Sequence, residues 1–184
     1  MKLIKIIIFL LISFNKPLIA NSNDNFQSLL KEGGKLIFIR HAYAPGVGDP
    51  NNFDILNCTS QRNLSEKGIK QAKNIGRFFL KKKIVIDKIL SSQWCRCKNT
   101  AKYAFNNYEI KSFLNSFFSK KISHNKDKQI KELNEYVEQW NGKTNLIFIT
   151  HNVVILEILN ISVSSGEIVV VDKKFNILTR KTIE

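Results

Sequence analysis

Two histidines follow the same apolar run at distant points of the chain. His41 ends the segment LIFIRH, and His151 ends the segment LIFITH. The 184-residue chain contains only three histidines, so a pattern that uses two of them is informative. Imidazole can serve as a nucleophile or as a hydrogen-bond donor near neutral pH. The third, His124, lies in the polar segment KKISHNKDK and is predicted to be exposed to solvent.

Two arginines accompany these histidines and indicate what the site binds. Arg40 precedes His41, and Arg96 lies in SSQWCR, directly after another apolar stretch. Planar guanidinium groups bind phosphate oxygens through two parallel hydrogen bonds. The backbone N–H groups of a helix beginning at Ser92 would add an anion-binding nest. Together these residues predict a pocket for a phosphoryl group.

The predicted chemistry is nucleophilic displacement at phosphorus. A neutral imidazole nitrogen can attack phosphorus in line and form a phosphohistidine, which divides one hard hydrolysis into two easier steps. Neighbouring guanidiniums disfavour a second cation, so they should keep His41 neutral. The same guanidiniums would stabilise the charge on the equatorial oxygens in the transition state.

Buried strands must position these side chains. Residues 36–39 and 146–149 are short, uninterrupted apolar runs, which are typical of strands covered on both faces in a parallel sheet. Another strand is predicted within Ile84–Leu90. Ligands of open parallel sheets bind at the carboxyl ends of the strands. If the two repeated strands are neighbours, His41 and His151 face one crevice, and Arg96 reaches the same edge.

Between these strands, apolar residues recur at the spacing of an α-helix. The predicted helices begin near Ser65, Ser92, Asp127 and Val153. Residues 168–172 and 175–180 are predicted to be a closing pair of strands. Because strands and helices alternate, the fold class is α/β. We expect a three-layer αβα sandwich with a mostly parallel central sheet.

The first twenty residues predict a secretory signal peptide. Lys2 and Lys5 precede an apolar run that ends at Phe14, and Ala20 follows. The run is far shorter than the ~20 apolar residues that a membrane-spanning helix needs. We expect a periplasmic or secreted protein with no stable membrane insertion after cleavage; tethering by an uncleaved N-terminal segment is the alternative. Residues 21–184 would then form one domain.

The chain is strongly basic. Its formal net charge of +14 falls to +11 when Lys2, Lys5 and Lys16 leave with the predicted signal peptide. Such a charge suits anionic partners. The alternative is that the lysine runs at residues 81–83 and 120–121 are solvated helix ends. The expected partner is a phosphorylated small molecule or an envelope lipid phosphate, and we do not expect nucleic acid.

Three cysteines occur in this chain. Disulfides form and persist in exported proteins, so one bridge and one free thiol are expected. Cys58 is predicted to pair with Cys95 or Cys97, since residues two apart on a helix face different directions. A zinc site using Cys95 and Cys97 would need a second ligand pair at a suitable spacing, which the sequence lacks. We therefore expect no metal and no other cofactor.

Four segments resemble motifs of the histidine phosphatase superfamily, in the branch that includes phosphoglycerate mutases and many small phosphatases. The similar segments are RHA at residues 40–42, NLSEKGIKQA at residues 63–72, SSQWCRCKNTA at residues 91–101 and ITH at residues 149–151. They occur in the family's order across nearly all of residues 35–172. The family's Arg-His-Gly signature has Ala42 in place of its glycine here. The resemblance implies a phosphoglycerate mutase-like fold.

The resemblance also implies a role for each matching residue. His41 would be the phosphate-accepting nucleophile, with Arg40 and Arg96 binding the phosphoryl group. His151 would complete the phosphate pocket. Arg62, in TSQRNLS, is a candidate for contact with substrate, and a surface salt bridge is the alternative.

The family's proton donor has no clear counterpart in this chain. Glu109 and Asp127 lie between the second arginine and the second histidine, where the family places its acid. Asp49 and Asp54 belong to a long loop at residues 43–57 that could reach over the pocket, and loops of this length are often functional. A site without a donor would favour leaving groups that need no protonation.

These observations predict a metal-independent phosphatase that hydrolyses a phosphomonoester or a related phosphoryl compound through phospho-His41. A mutase is disfavoured because the chain is short and begins with an export signal. The alternative is a non-catalytic protein of the cell envelope that binds phosphate or lipopolysaccharide phosphate.

Overall fold

The computed structural model describes residues 22–183, with side chains from residue 25 onward. The predicted signal peptide at residues 1–20 lies outside the described residues and stays a prediction. Within residues 22–183, no helix is both long enough and apolar enough to cross a membrane.

Helices and strands alternate along most of the described chain, as the sequence predicted. The helices are α1 Ser22–Glu32, α2 Glu66–Lys81, α3 Cys95–Phe105, α4 Lys126–Gln139 and α5 Asn152–Leu159. The strands are β1 Leu36–Arg40, β2 Ile86–Ser91, β3 Glu109–Ile110, β4 Asn145–Thr150, β5 Glu167–Val171 and β6 Ile177–Thr182. The α/β class is confirmed, and α1 and the short β3 are additions to the predicted elements.

The two repeated apolar runs are neighbouring strands of one sheet. The strand order is β3-β2-β4-β1-β5-β6. Strands β3, β2, β4 and β1 pair in parallel, β5 pairs antiparallel with β1, and β6 pairs antiparallel with β5. The register of β1 on β4 pairs Leu36 with Leu146 and Phe38 with Phe148, so like residues stand side by side. The two phenylalanine rings stack with centroids 4.9 Å apart. This register brings the carboxyl ends of β1 and β4 to the same point.

Both faces of the sheet are buried, which explains the uninterrupted apolar runs. Phe38 and Phe148 point to the layer of α4 and α5, where Leu133 and Val154 also lie. Alternate residues of the same strands point to the other layer and pack with residues of α1, α2 and α3. That second set includes Ile37, Ile39, Ile147 and Ile149, together with Phe26, Ile75, Phe79 and Cys97. The three-layer arrangement is therefore confirmed.

The ends of two predicted elements are set by local hydrogen bonds. Ser65 caps α2 as predicted, because its side chain accepts a hydrogen bond from the backbone of Gly68. The last strand begins at Ile177, two residues later than predicted. The Asp172 carboxylate accepts from the backbone N–H of Asn176, and Phe175 has a positive φ of 63°, so a turn occupies the predicted start.

Helices α2 and α3 approach each other through a glycine. A Cβ atom added at Gly76 would lie 2.0 Å from the backbone oxygen of Ala104. This contact lets α3, which carries Arg96, lie close against α2 in the layer below the sheet.

We expect Gly76→Ala to destabilise the fold, although alanine favours a helix interior by about 1 kcal/mol relative to glycine. The added methyl group must separate two packed backbones, and overpacking of this kind costs about 2 kcal/mol. Urea unfolding measures the difference. Leu80→Ala in the same helix is the control, since Leu80 is 81% exposed. A Gly76→Ala protein as stable as the native one would contradict the close contact.

Candidate active site

The sheet brings both histidines to one crevice. The backbone N–H of His41 donates to Thr150 O at 2.9 Å, which continues the β1–β4 ladder up to the histidines. The two imidazole centroids are 5.5 Å apart. Arg96, in the first turn of α3, lies between the rings: its Nε is 3.2 Å from His41 Nε2, and its Nη2 is 3.4 Å from His151 Nδ1. The predicted convergence of these three residues at one sheet edge is therefore observed.

The hydrogen bonds of His41 fix where its proton lies. Nδ1 is 2.9 Å from the carbonyl oxygen of Ala42, which can only accept, so Nδ1 carries the hydrogen. Nε2 then holds the lone pair and accepts from Arg96. The residue is buried, and that burial, followed by the charge of Arg96, lowers the pKa of His41 well below 6.5. His41 is consequently neutral at neutral pH, with its free nitrogen toward the guanidinium.

His151 is held in the opposite tautomer. Its Nδ1 accepts from Arg96, so the hydrogen lies on Nε2, which is 2.9 Å from Ser92 Oγ. The Ser92 hydroxyl in turn donates to Asn115 Oδ1 at 3.1 Å. Burial, Arg96 and then His41 lower the pKa of His151 well below 6.5. The prediction that Ser92 caps a helix is wrong, because α3 begins at Cys95 and the Ser92 side chain orients His151 instead.

Asp49 is the acid that the loop brings to the site. Nη1 of Arg96 is 2.9 Å and 3.0 Å from the two carboxylate oxygens of Asp49. The carboxylate also accepts from the indole N–H of Trp94 at 3.0 Å and from the backbone N–H of Arg62 at 3.1 Å. Only 4% of the Arg96 side chain and 8% of the Asp49 side chain are exposed. Asp49 thus holds Arg96 between the two imidazoles.

The other acidic candidates lie elsewhere. Glu109 pairs with Lys88 and Lys111 at the surface end of β3. The carboxylate of Asp54 accepts from the backbone of Leu56 within the loop. Asp127 lies in α4 and lines a separate groove. Of the four candidates named from the sequence, only Asp49 reaches the cavity.

Arg40 and Arg62 complete the cationic lining. Nη1 of Arg40 donates to Val163 O at 2.6 Å, while its Nε is buried without a partner among the described residues. Arg62 donates from Nε to Gly48 O at 2.8 Å and from Nη1 to Ala44 O. Arg62 therefore braces the loop from inside, and it forms none of the salt bridges found within residues 25–183. Both guanidiniums line the same cavity as the histidines.

A disulfide joins the loop to the helix that carries Arg96. Cys58 is bonded to Cys95, 37 positions later in the chain, so of the two predicted pairings this one is observed. Cys97 is free and buried, and its Sγ is 3.4 Å from His151 Nε2. Burial raises the pKa of Cys97 to about 12, so it packs as a neutral thiol. Within the described part of the chain, no group of three or more potential metal ligands occurs.

The five residues predicted from the sequence all line one open cavity of about 480 Å³. Its floor holds Arg40, His41, Arg96 and His151. Its walls include Val47, Asp49, Phe53, Arg62, Trp94, Phe118, Lys120, Lys121 and Ile122. Asp49 and the Lys120–Lys121 pair are the functional candidates whose position the sequence left open. A preorganised set of donors facing an unprotonated imidazole can bind a tetrahedral oxyanion and present a nucleophile to its central atom.

Comparisons with known proteins concern the family and the fold. The family model of the histidine phosphatase superfamily, branch 1, matches residues 36–146. A sequence comparison with curated proteins found no match.

Solved structures of several phosphatases and mutases share the fold. The alpha-ribazole phosphatase from Shigella flexneri has a TM-score of 0.59 and 15% identity, over 82% of this chain and 98% of that one. The protein histidine phosphatase SixA, complexed with tungstate, has a TM-score of 0.56 and 14% identity, over 80% and 96% of the two chains. The phosphoglycerate mutase from Thermus thermophilus has a TM-score of 0.53 and 14% identity, over 82% and 99%. At these identities the likeness concerns the fold.

We expect Asp49→Asn to destabilise the protein, because it leaves the buried guanidinium of Arg96 without its carboxylate. Breaking a buried ion pair by removing one partner costs about 3 kcal/mol. Inorganic phosphate should recover more stability in the variant than in the native protein, since the anion replaces the lost charge. Thermal unfolding with and without phosphate measures both effects. Asp54→Asn in the same loop is the control, and an equal response to phosphate in Asp49→Asn and native protein would contradict this account.

Acidification should also weaken the fold through the two buried histidines. The folded-state pKa of His41 and of His151 lies well below 6.5, whereas the unfolded chain binds these protons near pH 6.5. Stability is therefore complete above that pH and falls below it, by up to about 1.4 kcal/mol per pH unit for each histidine. Urea unfolding between pH 7 and pH 5 gives the slope. His41→Gln/His151→Gln should show a shallower slope; an unchanged slope would show that these imidazoles bind protons in the folded protein.

Proposed function

The chain belongs to branch 1 of the histidine phosphatase superfamily, and on that premise we propose that it hydrolyses a phosphorylated compound through a phosphohistidine at His41. The observation that carries the proposal is the orientation of His41. Its Nδ1 is fixed by the carbonyl of Ala42, and its unprotonated Nε2 faces the cavity beside Arg96.

In the first step, the lone pair of His41 Nε2 forms a bond to phosphorus, and the bond from phosphorus to the leaving oxygen breaks with its electron pair on that oxygen. Arg96 must move one hydrogen bond from Nε2 to a phosphoryl oxygen for this attack. Arg40, whose Nε has no partner among the described residues, supplies further donors. These guanidiniums stabilise the charge that spreads over the equatorial oxygens.

His151 has a supporting role in this scheme. Its ring is oriented by Ser92 and lies 5.5 Å from the ring of His41. When a phosphoryl dianion enters, Nδ1 of His151 can take up a proton and donate to an oxygen, because the anion offsets the burial and the cationic surroundings that keep the ring neutral. In the second step water attacks phosphorus, the bond to His41 breaks, and phosphate leaves with both protons of the water.

The cellular location is part of the proposal. A disulfide between Cys58 and Cys95 supports a periplasmic or secreted protein, because disulfides persist in oxidising compartments. The basic composition supports an anionic substrate such as a phosphorylated small molecule or an envelope lipid phosphate.

We expect His41→Ala to abolish both turnover of p-nitrophenyl phosphate and the formation of an acid-labile phosphoprotein. Native protein should retain turnover in the presence of a chelator, since guanidiniums supply the charge for transition-state stabilisation. His124→Ala is the matched control, because His124 is an exposed histidine outside the cavity. Labelled phosphoprotein that survives in His41→Ala would exclude His41 as the nucleophile. Phosphate binding without turnover in the native protein would favour the non-catalytic alternative.

A further inference from the structure

The cavity carries more positive charge than a single phosphoryl group can balance. Its lining includes three arginines and two lysines, whereas Asp49 is the only carboxylate among the described residues that line it. The positive groups exceed the negative one by four, and a phosphomonoester dianion would balance half of that excess. Lys120 and Lys121 form no ion pair with another described residue. The outer part of the cavity therefore favours a second anionic group on the ligand.

Asp49 is poorly arranged to protonate a leaving group. A carboxylate has about four lone-pair positions. Two donors reach Oδ1, from Arg62 N and Arg96 Nη1, and two reach Oδ2, from Trp94 Nε1 and Arg96 Nη1. No oxygen of Asp49 is left to carry a proton toward the cavity without breaking this network.

The two histidines of the cavity do not replace the missing donor. Nδ1 of His41 is bonded to Ala42 O, the Nε2 hydrogen of His151 faces Ser92, and a proton taken up at His151 Nδ1 is used in the hydrogen bond to a phosphoryl oxygen. An alkoxide leaving group needs a proton as its bond to phosphorus breaks. A phosphate leaving group needs none, because it is already a stable anion. The site therefore favours substrates whose leaving group is itself a phosphate.

The rim of the cavity suits an organic portion next to these charges. Val47 and Phe118 are 88% and 60% exposed and line the cavity from two different loops. The ring of Phe53 packs against Trp94 with centroids 5.6 Å apart, and both side chains line the cavity. The volume of about 480 Å³ exceeds what one phosphoryl group occupies and lies within the usual range for small-molecule sites.

From these observations we propose that the substrate is a diphosphate with an apolar organic portion. His41 takes the terminal phosphoryl group, and Lys120 and Lys121 bind the phosphate that leaves. This inference rests on the proposed function and names the substrate class of the same site.

The chemistry balances without an acid. The lone pair of His41 Nε2 forms the N–P bond to the terminal phosphorus, and the bridging P–O bond breaks with its electron pair on the bridging oxygen. The organic phosphate leaves as an anion bound to the two lysines. Water then forms a P–O bond as the N–P bond breaks, His41 recovers its lone pair, and dihydrogen phosphate carries away both protons of the water.

Benzyl diphosphate and benzyl phosphate test the proposal, since they share an organic portion and differ in the leaving group. We expect kcat/KM of the full protein to be at least about tenfold higher for benzyl diphosphate, which corresponds to about 1.4 kcal/mol of barrier. Equal or faster hydrolysis of benzyl phosphate, with phosphohistidine still formed, would overturn the inference and leave the proposed function standing. No turnover of any substrate and no phosphohistidine would overturn both.

The double variant Lys120→Ala/Lys121→Ala tests the outer subsite. It should lower kcat/KM about tenfold more for benzyl diphosphate than for p-nitrophenyl phosphate. Lys128→Ala/Lys131→Ala removes the same charge from lysines that are each 78% exposed on α4, and it should change neither value more than about twofold. Equal losses on both substrates in the first variant would overturn the assignment of the two lysines.

A binding measurement keeps the test independent of turnover. Methylenediphosphonate has a bridge that cannot be hydrolysed, and calorimetry should show that it binds native protein at least about tenfold more tightly than methylphosphonate does. The preference should be lost in Lys120→Ala/Lys121→Ala. Equal affinity of the native protein for the two phosphonates would contradict a second anion subsite.

Discussion

The buried guanidinium of Arg96 is the interaction on which the rest of the pocket depends. It contacts the reactive nitrogen of His41, the Nδ1 of His151 and both oxygens of Asp49, and almost none of its side chain is exposed. A desolvated cation of this kind is tolerated only when a counter-charge and hydrogen bonds are close. Asp49 supplies the charge, so the loop that carries Asp49 must be fixed as firmly as the helix that carries Arg96.

Several features of the fold serve that requirement together. The Cys58–Cys95 bridge ties the far end of the loop to the residue before Arg96. Trp94, on the other side of the bridge, holds the Asp49 carboxylate through its indole N–H. Arg62 donates to two carbonyls inside the loop. Burial and the charge of Arg96 keep both imidazoles neutral, so the arrangement that orients Arg96 also leaves the nucleophile unprotonated.

Local sequence patterns predicted most strands and helices, because the spacing of apolar residues within each element shows which of its faces are buried. The runs ending at His41 and His151 are apolar because both faces of the sheet are covered. The two strands are parallel neighbours in that sheet and need the same kind of side chain, which explains why their sequences are alike. Arg96 and the cap at Ser65 followed from similar local spacing. The roles of Asp49 and Ser92 could not be predicted from local patterns, since they depend on partners 47 and 59 positions away in the chain. Which of Cys95 and Cys97 pairs with Cys58 likewise depends on the position of the loop in the folded chain.

The concentration of cations in the pocket has an energetic cost. Among the described residues that line the cavity, five cations face one carboxylate, and the two apolar layers and the disulfide must offset the repulsion between these cations. An oxyanion relieves the repulsion on entry and meets donors that are already aimed. The donors at the cavity floor can then stabilise the transition state, while the cations nearer the mouth can distinguish one phosphorylated molecule from another.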